Sequence, residues 1–205
     1  MGKVTKITAS RKEFKCNKCR QIIPKGSTYF RGEINFGPTI IRCASCGLKG
    51  YEVTTSDYVM RAGEIVEDWS ESYDATEEGI QDIIDAVNEL RDELQDRLDN
   101  MPYQLQDADT GMMLQDRISC LEDAVSELEN IDVDSLKSDV ISDFASGMDF
   151  DDEDCEYSEE DFEDWDTAVD RLDTHGELEI VSELEADLES LITDAISEAL
   201  SCIEY

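Results

Sequence analysis

The chain has 205 residues and sets 52 acidic side chains against 17 basic ones, for a formal net charge of −35. So acidic a surface repels bare nucleic acid and anionic membranes over most of its area, while a hydrophobic share of 40% is too high for wholesale disorder. No run of 18 apolar residues is present to span a bilayer, and Met1–Lys6 lacks the apolar stretch of a secretory signal, so a soluble cytoplasmic protein with no membrane partner is expected.

The charges are segregated. Residues 1–50 hold 11 Lys/Arg and only Glu13 and Glu33 as acids, a net +9; the rest holds 6 bases against 50 acids, a net −44. Salt adaptation would acidify the whole chain and predicts no basic head. The asymmetry instead predicts different partners for the two segments, or contact between them.

In the head, Cys16-x2-Cys19 and Cys43-x2-Cys46 stand 23 residues apart. Two thiolates separated by two residues sit on one tight turn, and two such turns supply a tetrahedral four-thiolate site for Zn²⁺. A redox dithiol would need a βαβ scaffold, and disulfides an oxidising compartment; neither is indicated. Between the pairs, Pro24-Lys25-Gly26 reads as a turn, and Thr28–Arg31, Ile34–Phe36 and Thr39–Arg42 read as extended. The head is thus a β zinc ribbon of residues 1–50, too small to fold on its apolar core alone. Lys15, Lys18, Arg20, Lys25, Arg31 and Arg42 surround the ligands, with Tyr29, Phe30 and Phe36 between them. Bases interleaved with aromatics fit nucleic-acid contacts. They fit an acidic protein surface equally well, and Phe30 and Phe36 are expected to form the ribbon's small core.

The stretch Cys16-x2-Cys19, Ile22-Ile23, Lys25-Gly26, Tyr29, Arg31 resembles the start of a poly(ADP-ribose)-polymerase-type zinc finger. That resemblance implies recognition of DNA ends. Members of that family usually carry His at the third ligand position, where this chain has Cys43.

The remainder reads as mainly helical. Residues 51–73 form a connector, in which Ser56 caps a short helix that stops near Gly63, leaving Ile65, Val66 and Trp69 to pack the ribbon against the body. Asp74 and Glu77 stand at capping-box spacing. Ile80, Ile83, Ile84, Val87, Leu90, Leu94 and Leu98 then recur three and four apart until Pro102. Thr110-Gly111 opens a second helix with Met113, Leu114, Ile118, Leu121, Val125 and Leu128 as its stripe. The two make an antiparallel hairpin, with Leu105 folded over its end. A short helix over Ser135–Ala145 completes the segment 74–146.

The segment from Asp99 to Ile118, with Asn100-Met101-Pro102-Tyr103 and Leu114-Gln115-Asp116-Arg117, resembles a helical hairpin of uncharacterised bacteriophage and mobile-element proteins. That resemblance implies a phage or prophage origin and carries no assigned activity.

Residues 147–157 read as an acidic linker and 158–205 as acidic C-terminal helices. The first of these begins at Ser158 and ends at His175-Gly176, where the lone His suits the helix dipole. The last runs from about Glu177 to Ile203, with Leu184, Leu188, Leu191, Ile192, Ile196, Leu200 and Ile203 inward. It carries eight acids over roughly 40 Å at ~1.5 Å per residue. Two such helices side by side approach the charge density of duplex DNA, ~1 per 1.7 Å.

No catalytic constellation is present: one His, no phosphate-binding Gly loop, no nucleophile elbow. Cys120, Cys155 and Cys202 lack metal spacing, and Cys120 and Cys202 are expected to flank the core. The expectation is a non-enzymatic decoy whose acidic body occupies the nucleic-acid-binding surface of a basic host protein, such as a defence complex. Its contact residues would be Asp151, Asp152, Glu153, Asp154, Glu159, Glu160, Asp161, Glu163, Asp164, Glu183, Glu185, Asp187 and Glu189. The alternatives are a ribbon that binds nucleic acid on a body that dimerises, and a structural adaptor; the acids would then be no more than a solvated face.

Overall fold

The structure, a computed structural model, describes residues 3–34, 37–148, 150 and 157–203, without the side chain of Glu159. Asn35 and Phe36 of one expected strand, the acids Asp151–Asp154, and Cys155 lie outside the described residues. The chain divides into two compact units, one up to Asp68 and one from Trp69 onward.

The first unit is built on a three-stranded antiparallel sheet in the order β1 (Lys3–Ile7), β4 (Tyr29–Glu33), β5 (Thr39–Cys43). A second, two-stranded ladder joins β2 (Phe14–Lys15) to β3 (Ile22–Ile23). Strand β1 is absent from the expectation above, although Val4, Thr5 and Ile7 are β-branched residues suited to it. It pairs along the whole of β4, from Lys3 opposite Glu33 to Ile7 opposite Tyr29. The small core is Cys16, Ile23 and Tyr29, with Phe14 stacked on Tyr29 at 5.0 Å. Tyr29, rather than the expected Phe30, is the aromatic that fills it; Phe30 stands on the other face of β4, half-exposed, with the Lys6 ammonium 6.0 Å from its ring centre.

Helix α1 (Asp57–Ser72) begins where expected, with the Ser56 hydroxyl accepting from Val59 N–H at 3.4 Å. It does not stop at Gly63. A Cβ there would lie 2.3 Å from the Cβ of Tyr51 and 2.4 Å from its ring, so the glycine is needed for close approach, not for termination. Tyr51 is thereby seated against the helix, and the carboxylate of Asp68 accepts hydrogen bonds from both the Tyr51 hydroxyl and the Lys49 ammonium.

The second unit is helical. Helix α2 (Glu77–Asp99) and α4 (Asp109–Glu129) form the antiparallel hairpin. The α2 stripe is buried as expected, from Ile80 to Leu98. Its cap is Thr76, which accepts from Gly79 N–H at 3.1 Å, and not Asp74. On α4 the buried set is Leu114, Ile118, Leu121, Ala124, Val125 and Leu128, while Met113, about 100° around the helix from Leu114, is exposed.

The hairpin end also differs from expectation. The turn contains a short helix α3 (Tyr103–Gln106), and Leu105 points to solvent at 51% exposure. Gln106 closes the end instead. Its side-chain amide donates to the carbonyls of Leu98 (3.1 Å) and Met101 (3.0 Å) and so ties the turn to the finish of α2, where Leu98 also accepts from Met101 N–H at 3.0 Å.

Helix α5 (Val133–Ser146) is capped by Asp132. The following helix start is double. A 3₁₀ turn, Glu159–Phe162, carries the Ser158–Asp161 capping box, and α6 (Trp165–His175) then restarts on Asp164. Phe162 is buried among Phe144, Phe150 and Tyr157, with ring centres 5.6–5.9 Å away, so aromatics flanking the acidic run pack inward. Helix α6 ends on Gly176 in the left-handed region, with His175 at its last position and 5.2 Å from the Tyr157 ring. Helix α7 (Leu178–Ala199) and a 3₁₀ turn, Leu200–Cys202, bury Leu184, Ile192, Ile196 and Leu200; Leu191 is 40% exposed. Among the described residues no helix is long and apolar enough to cross a membrane.

Candidate metal centre and acidic groove

The two cysteine pairs meet. The sulfurs of Cys16, Cys19, Cys43 and Cys46 all lie within 4.8 Å of one another, and Cys19 Sγ is 3.7 Å from Cys43 Sγ. Each pair sits on the same kind of turn. In the first, Arg20 N–H donates back to the Cys16 carbonyl at 3.1 Å; in the second, Gly47 N–H donates to the Cys43 carbonyl at 3.2 Å. The residue after each second cysteine is left-handed, Arg20 and Gly47 both at φ 60°. Glycine adopts this conformation without cost, whereas Arg20 holds a side chain there under strain.

Asn17 locks the first turn to the sheet: its N–H donates to the Ile41 carbonyl at 2.8 Å, and its side-chain oxygen accepts from Ile41 N–H at 2.6 Å. Sequence reading passed over Asn17, though Asn inside a knuckle is a usual turn-former.

Cys16, Cys43 and Cys46 depart from an ordinary thiol in different directions. Burial pushes Cys16 up, but the N–H groups of Cys43, Cys19 and Lys18 outweigh it and hold the thiol down to about 6. Hydrogen bonds from Cys46 lower Cys43. Crowding by Cys43 and Cys19 pushes Cys46 up to about 12. Such a set readily gives up its first protons and holds the last, until a cation relieves the repulsion. It can hold a metal ion.

The bases named around this centre divide. Arg31 pairs with Glu33 at 2.6 Å and Arg42 with Glu52 at 2.8 Å, which also accepts from Lys49 N–H. Lys15, Lys18, Arg20 and Lys25 are exposed and form no carboxylate pair among the described residues.

The acids divide too. Asp161 is used locally, accepting from Ser158 N–H and Oγ and pairing with Arg171 at 3.2 Å; the Ser158 bonds come first in holding its carboxyl below the usual range. Asp164 caps α6 through Thr167 N–H and Oγ1, which lower it likewise. Glu160 and Glu163 are exposed. On α7, Glu183 and Asp187 are exposed one turn apart, as are Glu185 and Glu189, so carboxylates flank Leu184 on both sides.

Glu183 and Asp187 line one wall of a groove of about 460 Å³ between α5 and α7. Asp139 and Asp143, also one turn apart, line the other. Its floor is apolar, formed by Val140, Phe144, Ile180, Leu184 and Leu191, and no lining residue is basic. Sequence reading missed Asp139 and Asp143, whose i,i+4 spacing was visible but whose partner helix was not.

Compared with known protein families, curated proteins and solved structures, the chain matches none of them.

Proposed function

We propose that the protein is a non-enzymatic binding protein whose acidic helical body occupies the nucleic-acid-binding surface of a basic partner protein. The α5–α7 groove carries this reading. Four carboxylates on two rigid helices border an apolar floor, with no base among them. Carboxylates fixed in this way lose little entropy on binding, unlike those of a disordered acidic tail. The groove fits a Lys/Arg-rich segment that would otherwise meet phosphates. The likeness of Asp99–Ile118 to hairpins of phage and mobile-element proteins points to a host defence protein as the target.

The ion we assign to the head is Zn²⁺. A tetrahedral site with Zn–S of about 2.3 Å has sulfur–sulfur edges of about 3.8 Å. The 3.7 Å between Cys19 and Cys43 supports that fit. Four thiolates leave no open position, so the metal's role is to hold the small Cys16–Ile23–Tyr29 core together, not to catalyse.

A second reading has its own observation. Among the described residues Lys15, Lys18, Arg20 and Lys25 form no carboxylate pairs, which favours a direct nucleic-acid contact there, as the likeness to DNA-end-binding fingers implies.

A salt-graded pull-down from bacterial lysate, repeated with competing duplex DNA, tests both. On the first reading the captured partner is a nucleic-acid-binding protein, released by salt and by DNA. Reversing Glu183 and Asp187, then Asp139 and Asp143, weakens it cumulatively. A partner that holds DNA and this protein together, or that binds the reversal variants like wild type, overturns the first reading. Retention of labelled DNA by the protein itself, lost on replacing Lys15, Lys18 and Lys25, supports the second.

A further inference from the structure

Two cysteines that the metal does not use face each other across the helical unit. Cys120 stands in the middle of α4 and Cys202 in the 3₁₀ turn after α7, 82 positions apart in sequence. Cys120 Sγ donates to the Cys202 carbonyl at 2.6 Å, and Cys202 Sγ donates to the Cys120 carbonyl at 3.2 Å. Each thiol therefore lies over the other's backbone. Both side chains are half-buried, and Cys202 lines an open groove with Glu127, Asn130 and Ser201, which gives a small reagent access.

We propose that Cys120 and Cys202 are an oxidisable pair, converted by a small-molecule disulfide into a cystine that staples the final turn to α4. In the first step one of the two thiolates attacks a sulfur of the reagent R–S–S–R, forms a mixed disulfide and expels RS⁻. In the second, the other cysteine attacks the protein sulfur of that mixed disulfide, forms the Cys120–Cys202 bond and expels the second RS⁻. The two thiol protons end on two RSH molecules, and the two electrons reduce the reagent.

The surroundings set the kinetics. Burial first, then the charge and thiol contact of Cys120, push Cys202 up to about 11, with Glu127 and Asp123 adding to it. Cys202 therefore attacks slowly near neutrality and faster as pH rises. The same carboxylates favour a cationic reagent over an anionic one.

The test uses the full-length, zinc-loaded protein, treated at pH about 8.5 with cystamine or with oxidised glutathione and mapped by mass spectrometry after alkylation. The expected product is one intramolecular link between the peptides of Cys120 and Cys202. It should form several-fold faster with cystamine, an advantage that shrinks in high salt. It should be absent in Cys120→Ser and in Cys202→Ser, each of which keeps a hydroxyl donor for the facing carbonyl. The linked protein should melt several degrees above the reduced form. Separate capping of Cys120 and Cys202 without a link, a link to Cys155 instead, or a lower melting temperature on oxidation overturns the proposal.

Discussion

Gln106 offers a sharp test of how the hairpin end is held. Its amide donates two hydrogen bonds at the end of α2, to the Met101 carbonyl and to the Leu98 carbonyl, which also accepts from Met101 N–H. Each bond is worth about 1 kcal/mol net, so Gln106→Ala should destabilise the helical unit by about 2 kcal/mol. For a unit of this size that is a fall in melting temperature of about 6–8 °C. Gln106→Glu should be worse at pH 7, by about a further 1 kcal/mol. It turns a donor into a carboxylate facing two carbonyls at the negative end of the α2 dipole, beside Asp107. The pH dependence carries the sign of the argument. The folded environment raises the pKa of the new carboxyl above its unfolded value of about 4.3. The added penalty is therefore full at pH 7 and fades as pH falls through the raised pKa toward 4.3, where a protonated Glu can again donate one bond. Thermal melts followed by far-UV circular dichroism, with wild type measured at each pH, isolate this difference from the general relief of charge repulsion. If Gln106→Ala melts within a degree of wild type, or Gln106→Glu matches Gln106→Ala at pH 7, the amide does not close the hairpin.

Replacing Cys43 with Ser should remove the bound metal and melt the β1–β4–β5 sheet while sparing the helical signal, as metal analysis and amide exchange would report. Arg20→Gly should stabilise the metal-bound ribbon by about 0.5–1 kcal/mol, because it frees the φ 60° position of its side chain, and a denaturant titration would show the gain. Asp164→Ala should lower stability at pH 7 by uncapping α6. That deficit should vanish in acid. Wild type keeps the cap's contribution above the ordinary carboxyl pKa of about 3.9 and loses it as pH falls through the lower folded value.

The four-cysteine cluster was legible because C-x2-C is a local pattern, and it carries its geometry with it. The α2 and α4 stripes were legible for the same reason, over many turns. What sequence did not convey was decided across space. Gly63 reads as a stop in one dimension, yet Tyr51 lies over it and the helix continues. Leu105 reads as a lid, yet the amide one position on bonds two carbonyls at the end of α2, which an apolar side chain cannot do. Asp161 and Asp164 looked like members of one acidic surface, and are caps, because helix starts take carboxylates from wherever the chain places them. Asp139 and Asp143 join the acidic groove only when α5 lies against α7.

The order of contacts along the chain sets an order of assembly. The α2–α4 hairpin joins neighbours across a turn of about nine residues, while the meeting of α4 with the final turn must close 82. Each doubling of a loop adds about 0.6 kcal/mol of closure entropy, so the second event starts about 2 kcal/mol behind the first. The hairpin should therefore form early, and the last turn should dock late. Until it docks, the Leu200 and Ile203 side chains are uncovered and α7 is unanchored at its C-terminal end. A chain stalled at that stage would show a formed hairpin beside an unsettled α5–α7 groove, so the surface proposed to bind a partner is the last part of the molecule to mature.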